Sequence, residues 1–186
     1  MICTAVGRLV PVKGYDVLVS AMQRIASQVP QLFCLIVGQG ESKVELSAQI
    51  HQAGLEDRVR LLGYYDRENA MSILKSSDIF VMPSRYEGTP IALLEAAALG
   101  RPILASATGG IPELVHHEEH AILVPPDDPD ALAQGLLQLT LDPEYATLLG
   151  QKAQQRIHEK FNLESQVDAT WHAYQKALDK HRLREK

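Results

Sequence analysis

The sequence has few cysteines, few aromatic residues and no long apolar run. Its two cysteines, Cys3 and Cys34, both lie in segments that we predict to be buried strands, which favours buried thiols over a disulfide or a reactive thiol. No apolar run approaches the ~20 residues that a membrane-spanning helix needs, and no signal-peptide pattern precedes the first predicted strand. We therefore expect a cytoplasmic protein without a transmembrane segment.

An excess of positive charge is also missing. The formal net charge is −5, and acidic and basic residues are interspersed along the chain. This balance argues against a nucleic-acid partner that needs a broad basic face, although it leaves room for a local basic pocket. Internal repeats and low-complexity segments are absent as well, so a chain of 186 residues with ordinary composition predicts one domain, 1–186.

The sequence does contain a regular alternation of short apolar segments and amphipathic segments. The apolar segments predict six strands, at residues 2–6, 32–37, 59–62, 78–82, 102–105 and 121–124, and the second of them reads as buried on both faces. Helices are predicted from Gly14 to about residue 28, at 42–53, 67–75 and 90–100, and then in a C-terminal tail at 130–141, 143–161 and 163 to about 180. The charged end, 180–186, is expected to be solvated and frayed. Strands that alternate with helices predict an α/β fold with a parallel sheet covered by helices on both faces.

Glycine and polar residues follow the predicted strands directly. Because ligands of such sheets bind beyond the carboxyl ends of the strands, where the strand order reverses, these residues predict a binding site at one edge of the sheet. The residues in question are Gly7, Arg8, Gly38, Gly63, Ser84 and Ser106.

The segment SRYEGTPIALLEAAALG centres on a helix with a single charged side chain, Glu95. Thr89 is predicted as its N-cap and Pro90 as its first residue. An otherwise apolar helix is expected to be buried, and a buried carboxylate without a partner is costly, so Glu95 indicates a ligand or a structural hydrogen bond to a nearby loop. Glu87, just before the helix, is either a solvated loop acid or a second ligand-binding group. Two acids beside a helix N-terminus favour a ligand that carries both hydroxyls and phosphate.

Two cations, Arg8 and Lys13, lie near the first strand-to-helix turn. They suit a diphosphate, since arginine provides a bidentate fork and lysine a point charge, but they are equally consistent with two surface charges. Gly38-x-Gly40 lacks the third glycine of a dinucleotide fingerprint, and it is better explained as a tight turn.

Several spaced motifs together resemble the group 1 glycosyltransferases, the family 4-type retaining enzymes of GT-B fold. These motifs are GRL with KG at residues 7–14, PSRYEGTPIALLEA at 83–96, GRPILA at 100–105 and TGGIPELV at 108–115, and the spacing from Glu87 to Glu95 is the family's E-x7-E signature. The similarity covers residues 6–130. It implies a Rossmann-like donor domain that binds a nucleoside-diphosphate sugar, UDP-, GDP- or ADP-linked, with no other cofactor and no metal.

The resemblance also implies roles for individual residues. Arg8 and Lys13 match the pair that meets the donor diphosphate, Glu87 matches the acid that holds the sugar hydroxyls, and Glu95 matches the acid that holds the ribose. Arg8, Lys13 and Glu87 are accordingly the catalytic candidates. Further binding candidates are Gly7, the turn Gly88, Thr89, Pro90 and Ile91 against sugar and phosphate, and Gly63 with Tyr64 near the base. Gly109, Gly110 and Glu113 match a loop near the site.

The chain departs from the family in two places. It has His117, Glu118 and Ala121 where an acidic-glycine pair and a later glycine are usual. It also contains only the donor half of a GT-B enzyme, and Met1 is followed at once by a predicted strand, so we expect a piece of a longer protein. The partners implied are the nucleotide sugar and an N-terminal acceptor lobe. In related enzymes the C-terminal helix packs on that lobe, and any peripheral contact with a membrane is expected to be made through it.

The sequence also admits three other interpretations. The segment 116–120 satisfies the zinc motif H-x-x-E-H, but the strand-like AILV and two prolines that follow favour a polar turn over the helix that the motif needs. A glycosidase pair formed by Glu87 and Glu95 would not require Arg8 and Lys13, whereas a diphosphate leaving group would. A nucleotide-sugar sensor, or a subunit without catalysis of its own, remains the alternative to a transferase.

Overall fold

The computed structural model describes residues 1–184, and its centre is a six-stranded parallel sheet. The strands are β1 (Ile2–Val6), β2 (Phe33–Val37), β3 (Val59–Gly63), β4 (Ile79–Met82), β5 (Ile103–Ser106) and β6 (Ile122–Val124). They are arranged in the order β3-β2-β1-β4-β5-β6, so the direction of strand progression reverses between β1 and β4. This confirms the predicted fold and fixes the switch point at that pair of strands.

Eight helices of the described residues connect and extend the strands. They are α1 (Tyr15–Ile25), α2 (Lys43–Gln52), α3 (Arg67–Lys75), α4 (Ile91–Ala98), α5 (Ile111–Leu114), α6 (Pro129–Leu141), α7 (Pro143–Lys160) and α8 (Leu163–Arg184). The helix α1 ends about three residues earlier than predicted, and α5 has no counterpart among the predicted helices. The prediction of a frayed end lies partly outside the described residues, because residues 185 and 186 are not among them.

The core lies in two layers, one on each face of the sheet. On one face α1, α2 and α6 cover alternate strand residues such as Cys3, Cys34 and Ile36, and Cys3 and Cys34 are buried free thiols, as predicted. On the other face α3, α4 and α7 cover a second cluster around Phe80 and Leu93. Each layer follows the period-2 alternation of the strands.

The second strand is not buried on both faces, which corrects the prediction. Cys34 and Ile36 are fully buried under α1 and α2, whereas Phe33 is 43% exposed and Leu35 is half-buried. The reason is that α3 packs over β1 and leaves the outer end of β2 partly uncovered.

No helix of the described residues is long and apolar enough to cross a membrane.

Candidate functional site

The carboxyl ends of β1, β2 and β4 meet at one edge of the sheet, and the chain segments pass one another closely there. A Cβ atom on Gly38 would lie 1.8 Å from the carbonyl oxygen of Gly7, and a Cβ on Gly14 would lie 2.0 Å from that of Pro83. Gly38 N–H also donates to the Gly63 carbonyl at 2.8 Å. Glycine is therefore required at these crossings, and the predicted convergence of the strand ends is confirmed.

Glu87 is the centre of this edge. Its carboxylate is almost fully buried, at 7% exposure, and its Oε1 atom accepts hydrogen bonds from Lys13 Nζ and from Ser84 Oγ, both at 2.6 Å. The interpretation of Glu87 as a solvated loop acid is therefore wrong. Burial, reinforced by the negative charge of Glu87, raises the pKa of the neighbouring Tyr15 well above its usual value.

A loop after β5 fixes the backbone on which Glu87 lies. Gly110 N–H donates to the Glu87 carbonyl at 3.1 Å, and Thr108 Oγ1 donates to the Arg85 carbonyl at 3.0 Å. A Cβ on Gly109 would lie 1.7 Å from the Glu87 carbonyl oxygen. The two glycines are thus at the site, whereas the side chain of Glu113 is exposed on α5.

Lys13 and Arg8 lie at the same edge in different electrostatic states. Lys13 ends a short 3-10 turn, Pro11–Lys13, and forms the buried ion pair with Glu87, while its Cε would lie 3.7 Å from a Cβ on Gly7. Arg8 follows Gly7 and is exposed, and its guanidinium has no hydrogen bond or ion pair within residues 1–184. Arg8 is therefore available to a ligand, whereas Lys13 is already engaged.

The helix α4 differs from its prediction at its start. Thr89 is not the N-cap, because the helix begins at Ile91 and Pro90 occupies the cap position, with no side-chain cap. Pro90 is in an extended conformation with ψ of 90°, and its carbonyl accepts the first helical bonds, from Leu93 and Leu94. The N–H groups of Ile91 and Ala92 precede that bonding, so they have no partner inside the helix.

Glu95 has a protein partner, which corrects the premise that it is buried alone. Its side chain is 21% exposed, and its Oε1 lies 3.0 Å from Arg67 Nη2 and 3.1 Å from Arg67 Nε, at the start of α3. The helix is also not buried all round, since Ile91 is 59% exposed. Because Arg67 is 84% exposed, this ion pair is weak and open to displacement by a ligand.

A cleft of about 470 Å³ opens beside Arg8, at the carboxyl ends of β1, β2 and β3. Its lining comprises Val6, Gly7, Arg8, the turn 37–40 after β2, Tyr64, Tyr65 and Ala70. Tyr64 is 69% exposed and Tyr65 40%, directly after Gly63. The cleft therefore combines a cation, exposed backbone and aromatic rings, a lining suited to a phosphorylated ligand with a flat ring.

Sequence reasoning placed Ser84 at this edge of the sheet without a role of its own and assigned nothing to Arg85, and both lie in the segment that leads to Glu87. Arg85 holds both carboxylate oxygens of Asp16 in a bidentate pair, at 2.9 and 2.7 Å, and also contacts Asp127 at 2.7 Å. Partial burial alone would raise the pKa of Asp16, but the bonds and charge of Arg85 lower it overall. The available signal for Arg85 was its position between Ser84 and Glu87, shortly after a buried strand.

The H-x-x-E-H segment forms a turn between α5 and β6, as predicted, with Glu118 at a positive φ of 58°. Potential ligand atoms of His116, Glu119 and His120 nevertheless lie within 4.8 Å of one another. His116 N–H donates to His120 Nδ1 at 3.3 Å, and Arg156 Nη2 lies 3.2 Å from His116 Nε2. Protein donors thus contact one ring nitrogen of each histidine, whereas the other two, His116 Nδ1 and His120 Nε2, lie 3.1 and 3.7 Å from the carboxylate of Glu119.

Taken together, the strand order and the polar groups at its switch point define a Rossmann-like α/β domain. The family model described as glycosyl transferases group 1 matches residues 2–156, and the chain belongs to that family. Its fold corresponds to the C-terminal half of GT-B glycosyltransferases.

Two curated relatives illustrate the similarity in sequence. An uncharacterized glycosyltransferase of Methanocaldococcus jannaschii is 31% identical over 174 residues, which cover 94% of this chain and 44% of the relative. A UDP-Gal:alpha-D-GlcNAc-diphosphoundecaprenol alpha-1,3-galactosyltransferase of Escherichia coli is 33% identical, with coverage of 89% and 43%. The chain thus spans less than half the length of these relatives.

Three solved structures illustrate the similarity in fold. Sucrose-phosphate synthase from Thermosynechococcus elongatus superposes with a TM-score of 0.85 at 32% identity, covering 96% of this chain and 46% of that one. HepE of Anabaena in complex with UDP-glucose gives 0.83 at 26% identity, with coverage of 93% and 48%. The C-terminal domain of a group 1 family protein from Francisella tularensis gives 0.78 at 23% identity, and each chain covers 87% of the other.

Proposed function

We propose that this chain is the donor-substrate domain of a retaining glycosyltransferase and that it binds a nucleoside-diphosphate sugar. The observation that carries the proposal is the arrangement at the switch point. A free guanidinium, Arg8, lies on a cleft with aromatic rims, and a buried carboxylate, Glu87, lies at the same edge of the sheet in contact with a second cation, Lys13. Phosphate, nucleoside and sugar hydroxyls each have a matching group.

In this proposal the diphosphate is the leaving group. Arg8, Lys13 and the free N–H groups at the start of α4, including that of Ile91, stabilise the negative charge that develops as the glycosyl bond breaks. Gly7, Gly88, Thr89 and Pro90 shape the backbone against phosphate and sugar.

The two acids orient the donor and do not transfer protons. Glu87 accepts hydrogen bonds from sugar hydroxyls, and Glu95 accepts them from the ribose in place of Arg67. The base lies near Gly63 and Tyr64. Uridine, guanosine and adenosine diphosphates are all candidates for the nucleotide. The proposal names no particular sugar or acceptor, because the relatives that resemble this chain differ in what their names say they transfer.

The acceptor is proposed to bind to a separate N-terminal lobe. The helix α8 carries a stripe of exposed apolar residues, Val167, Trp171, Tyr174 and Leu178, each 57–64% exposed. We propose that this stripe packs on that lobe, which would also provide any peripheral contact with a membrane. Transfer with retention would then require both halves, and the chain alone would bind the donor with little turnover.

The alternative is a nucleotide-sugar-binding subunit without catalysis of its own. The reading frame upstream of the Met1 codon separates the two proposals. An in-frame acceptor domain supports a transferase, whereas a separately encoded neighbour supports a subunit completed by a partner.

Titration calorimetry of the chain against UDP, GDP and ADP tests the binding function. Arg8→Ala should weaken the diphosphate that binds by about 1–3 kcal/mol, because it removes a charge-assisted hydrogen bond. Lys13→Ala should weaken it similarly, but it also leaves the buried Glu87 carboxylate without its cation, so Arg8→Ala is the cleaner variant.

Lys75→Ala is the matched control for Arg8→Ala. Lys75 is an exposed cation at the end of α3, separated from the start of β4 by three residues and hence at the opposite edge of the sheet. Its removal should leave the affinity unchanged. An unsubstituted chain that binds none of the three nucleotides, or an Arg8→Ala variant that binds like the Lys75→Ala variant, would contradict the proposal.

A further inference from the structure

Ser84 is a buried hydroxyl whose described side-chain bond goes to the central carboxylate of the site. It lies two residues after the end of β4, its exposure is 1%, and its Oγ donates to Glu87 Oε1 at 2.6 Å. With so little exposure, Ser84 has no surface on which a ligand could rest. Any effect of Ser84 on ligand binding must therefore pass through Glu87.

The two donors to Glu87 both use the same carboxylate oxygen. Ser84 Oγ and Lys13 Nζ each lie 2.6 Å from Oε1, and Oε2 accepts no hydrogen bond within residues 1–184. Among residues 1–184, Thr140 Oγ1 is the side-chain atom that is both buried and without a hydrogen-bond partner. Glu87 Oε2 also has no partner in this range, so it is not fully buried and is still reached by solvent. One oxygen of Glu87 is thus held by the protein, and the other is available to a hydroxyl from outside.

The two donors differ in what else they can bind. Lys13 is 23% exposed and, under the proposed function, also contacts the diphosphate. When the phosphate attracts the Lys13 ammonium, the hydrogen bond from Lys13 to Glu87 weakens. A buried carboxylate that lacks hydrogen-bond donors raises the free energy of the folded state. The Ser84 hydroxyl is buried just beyond the end of a central strand and has no competing ligand, so it remains in place.

We propose that Ser84 is the positioning residue of the donor-sugar site. It anchors Glu87 Oε1 while Lys13 is shared with the diphosphate, and it thereby keeps Oε2 directed to the sugar hydroxyls. This inference rests on the proposed function of the same site. It predicts that Ser84 matters for the sugar-bearing nucleotide and much less for the nucleotide alone.

The test compares affinities for matched ligand pairs. Dissociation constants are measured by calorimetry for UDP and UDP-glucose, GDP and GDP-mannose, and ADP and ADP-glucose, using the pair whose nucleotide the unsubstituted chain binds. Ser84→Ala should raise the dissociation constant of the nucleotide sugar by about tenfold, the effect of losing a hydrogen bond to a charged group. It should raise that of the nucleotide by less than about twofold.

Three further variants separate positioning from general destabilisation. Ser84→Thr keeps the hydroxyl and should restore the nucleotide-sugar affinity to within about threefold. Ser84→Cys keeps the size but supplies only a weak donor, so it should reproduce the selectivity of Ser84→Ala even if the alanine variant folds poorly. Ser77→Ala is the control, since Ser77 is equally buried but bonds to Thr4 and the Ile73 carbonyl, away from the site.

A double-mutant cycle with Glu87→Ala completes the test, because this substitution removes the oxygen that accepts the Ser84 hydroxyl. If Ser84 acts through Glu87, the Ser84→Ala substitution should add less than about twofold in the Glu87→Ala background. Equal weakening of nucleotide and nucleotide sugar, an undiminished effect in that background, or the same selectivity from Ser77→Ala would each overturn the assignment of Ser84 alone. Failure of the unsubstituted chain to bind any of the nucleotides would instead overturn the proposed function and this inference with it.

Discussion

At the scale of single residues, the ion pair between Lys13 and Glu87 determines how the proposed donor site can work. The cation comes from the loop after β1 and the acid from the loop after β4, 74 residues apart. A salt bridge at 9% and 23% side-chain exposure is screened little by solvent, so the pair is a structural element as well as a candidate ligand contact. A donor must therefore compete with an existing interaction for Lys13.

Glu95 and Arg67 provide a residue-scale prediction. Glu95→Gln should weaken a nucleoside diphosphate by about tenfold and leave inorganic pyrophosphate unchanged, because the proposed partner of Glu95 is the ribose. Calorimetry with both ligands measures the difference. Arg67→Ala is the control, because it removes only the exposed ion pair with Glu95. It should leave the affinity for either ligand unchanged and should alter the unfolding free energy by no more than about 1 kcal/mol. An equal loss of both ligands in Glu95→Gln would contradict the ribose assignment.

Gly109 provides a second residue-scale prediction. It has φ of +52°, and its close approach to the Glu87 carbonyl leaves no room for a Cβ. Gly109→Ala should displace the Glu87 backbone, lower the unfolding free energy and weaken nucleotide-sugar binding, measured by urea denaturation and calorimetry. Gly54→Ala is the matched control, since Gly54 has φ of +64° with open space around it. It should cost about 1 kcal/mol of stability and leave binding intact. Equal binding losses in both variants would count against the placement of Gly109.

At the scale of secondary-structure elements, periodicity explains why most of the fold was predictable. Apolar segments such as 79–82 and amphipathic ones such as 67–75 have different periods, and α3 begins and ends where predicted. The side-chain partners were not predictable, because they depend on which loops meet at the sheet edge. The bond from Ser84 to Glu87 spans three residues, yet it exists because the segment after β4 folds back under the Thr108–Gly110 loop.

The same limit applies to exposure. Phe33 and Glu95 lie in apolar segments, and a pattern of apolar residues predicts burial for both. Their actual environment depends on the lateral position of α3, which covers β1 but not the end of β2 and which brings Arg67 to Glu95. The position of a packed helix is a tertiary property that one sequence does not encode locally.

The turn between α5 and β6 gives a pH-dependent prediction. Burial of the His120 side chain lowers its pKa below the usual 6.5, and the charges of Arg156, His116 and Lys152 act in the same direction, against that of Glu119. Since the unfolded chain then binds the proton more readily, this group makes the folded state less stable as the pH falls below about 6.5.

Urea denaturation between pH 5 and 8 measures that effect. His120→Gln should show a smaller loss of unfolding free energy at low pH than the unsubstituted chain, because the titrating group is gone. His172→Gln is the control, since His172 lies on the exposed helix α8. Identical pH slopes in the unsubstituted chain and His120→Gln would contradict the effect assigned to burial.

At the scale of the whole molecule, the proposed site relies on protein cations alone. Arg8, Lys13 and the start of α4 provide the positive charge for a diphosphate, so we expect donor binding to need no divalent metal. Affinities measured by calorimetry in EDTA and in magnesium or manganese chloride should agree within about twofold. A donor affinity that is tenfold or more weaker in EDTA would show that a metal ion, together with Arg8 and Lys13, neutralises the diphosphate.

The topology of the sheet also determines when the site can exist during synthesis. A nascent chain emerging from the ribosome carries Lys13 long before Glu87, and the loop that holds Glu87 in place comes later still, at Thr108–Gly110. The cleft beside Arg8 is formed by β1, β2 and the segment after β3, but Lys13 meets Glu87 only after β4 has joined β1. The acquisition of affinity for a nucleotide sugar, beyond that for the nucleotide, would therefore report that β1 and β4 have become neighbours, which is the least local strand pairing of the sheet.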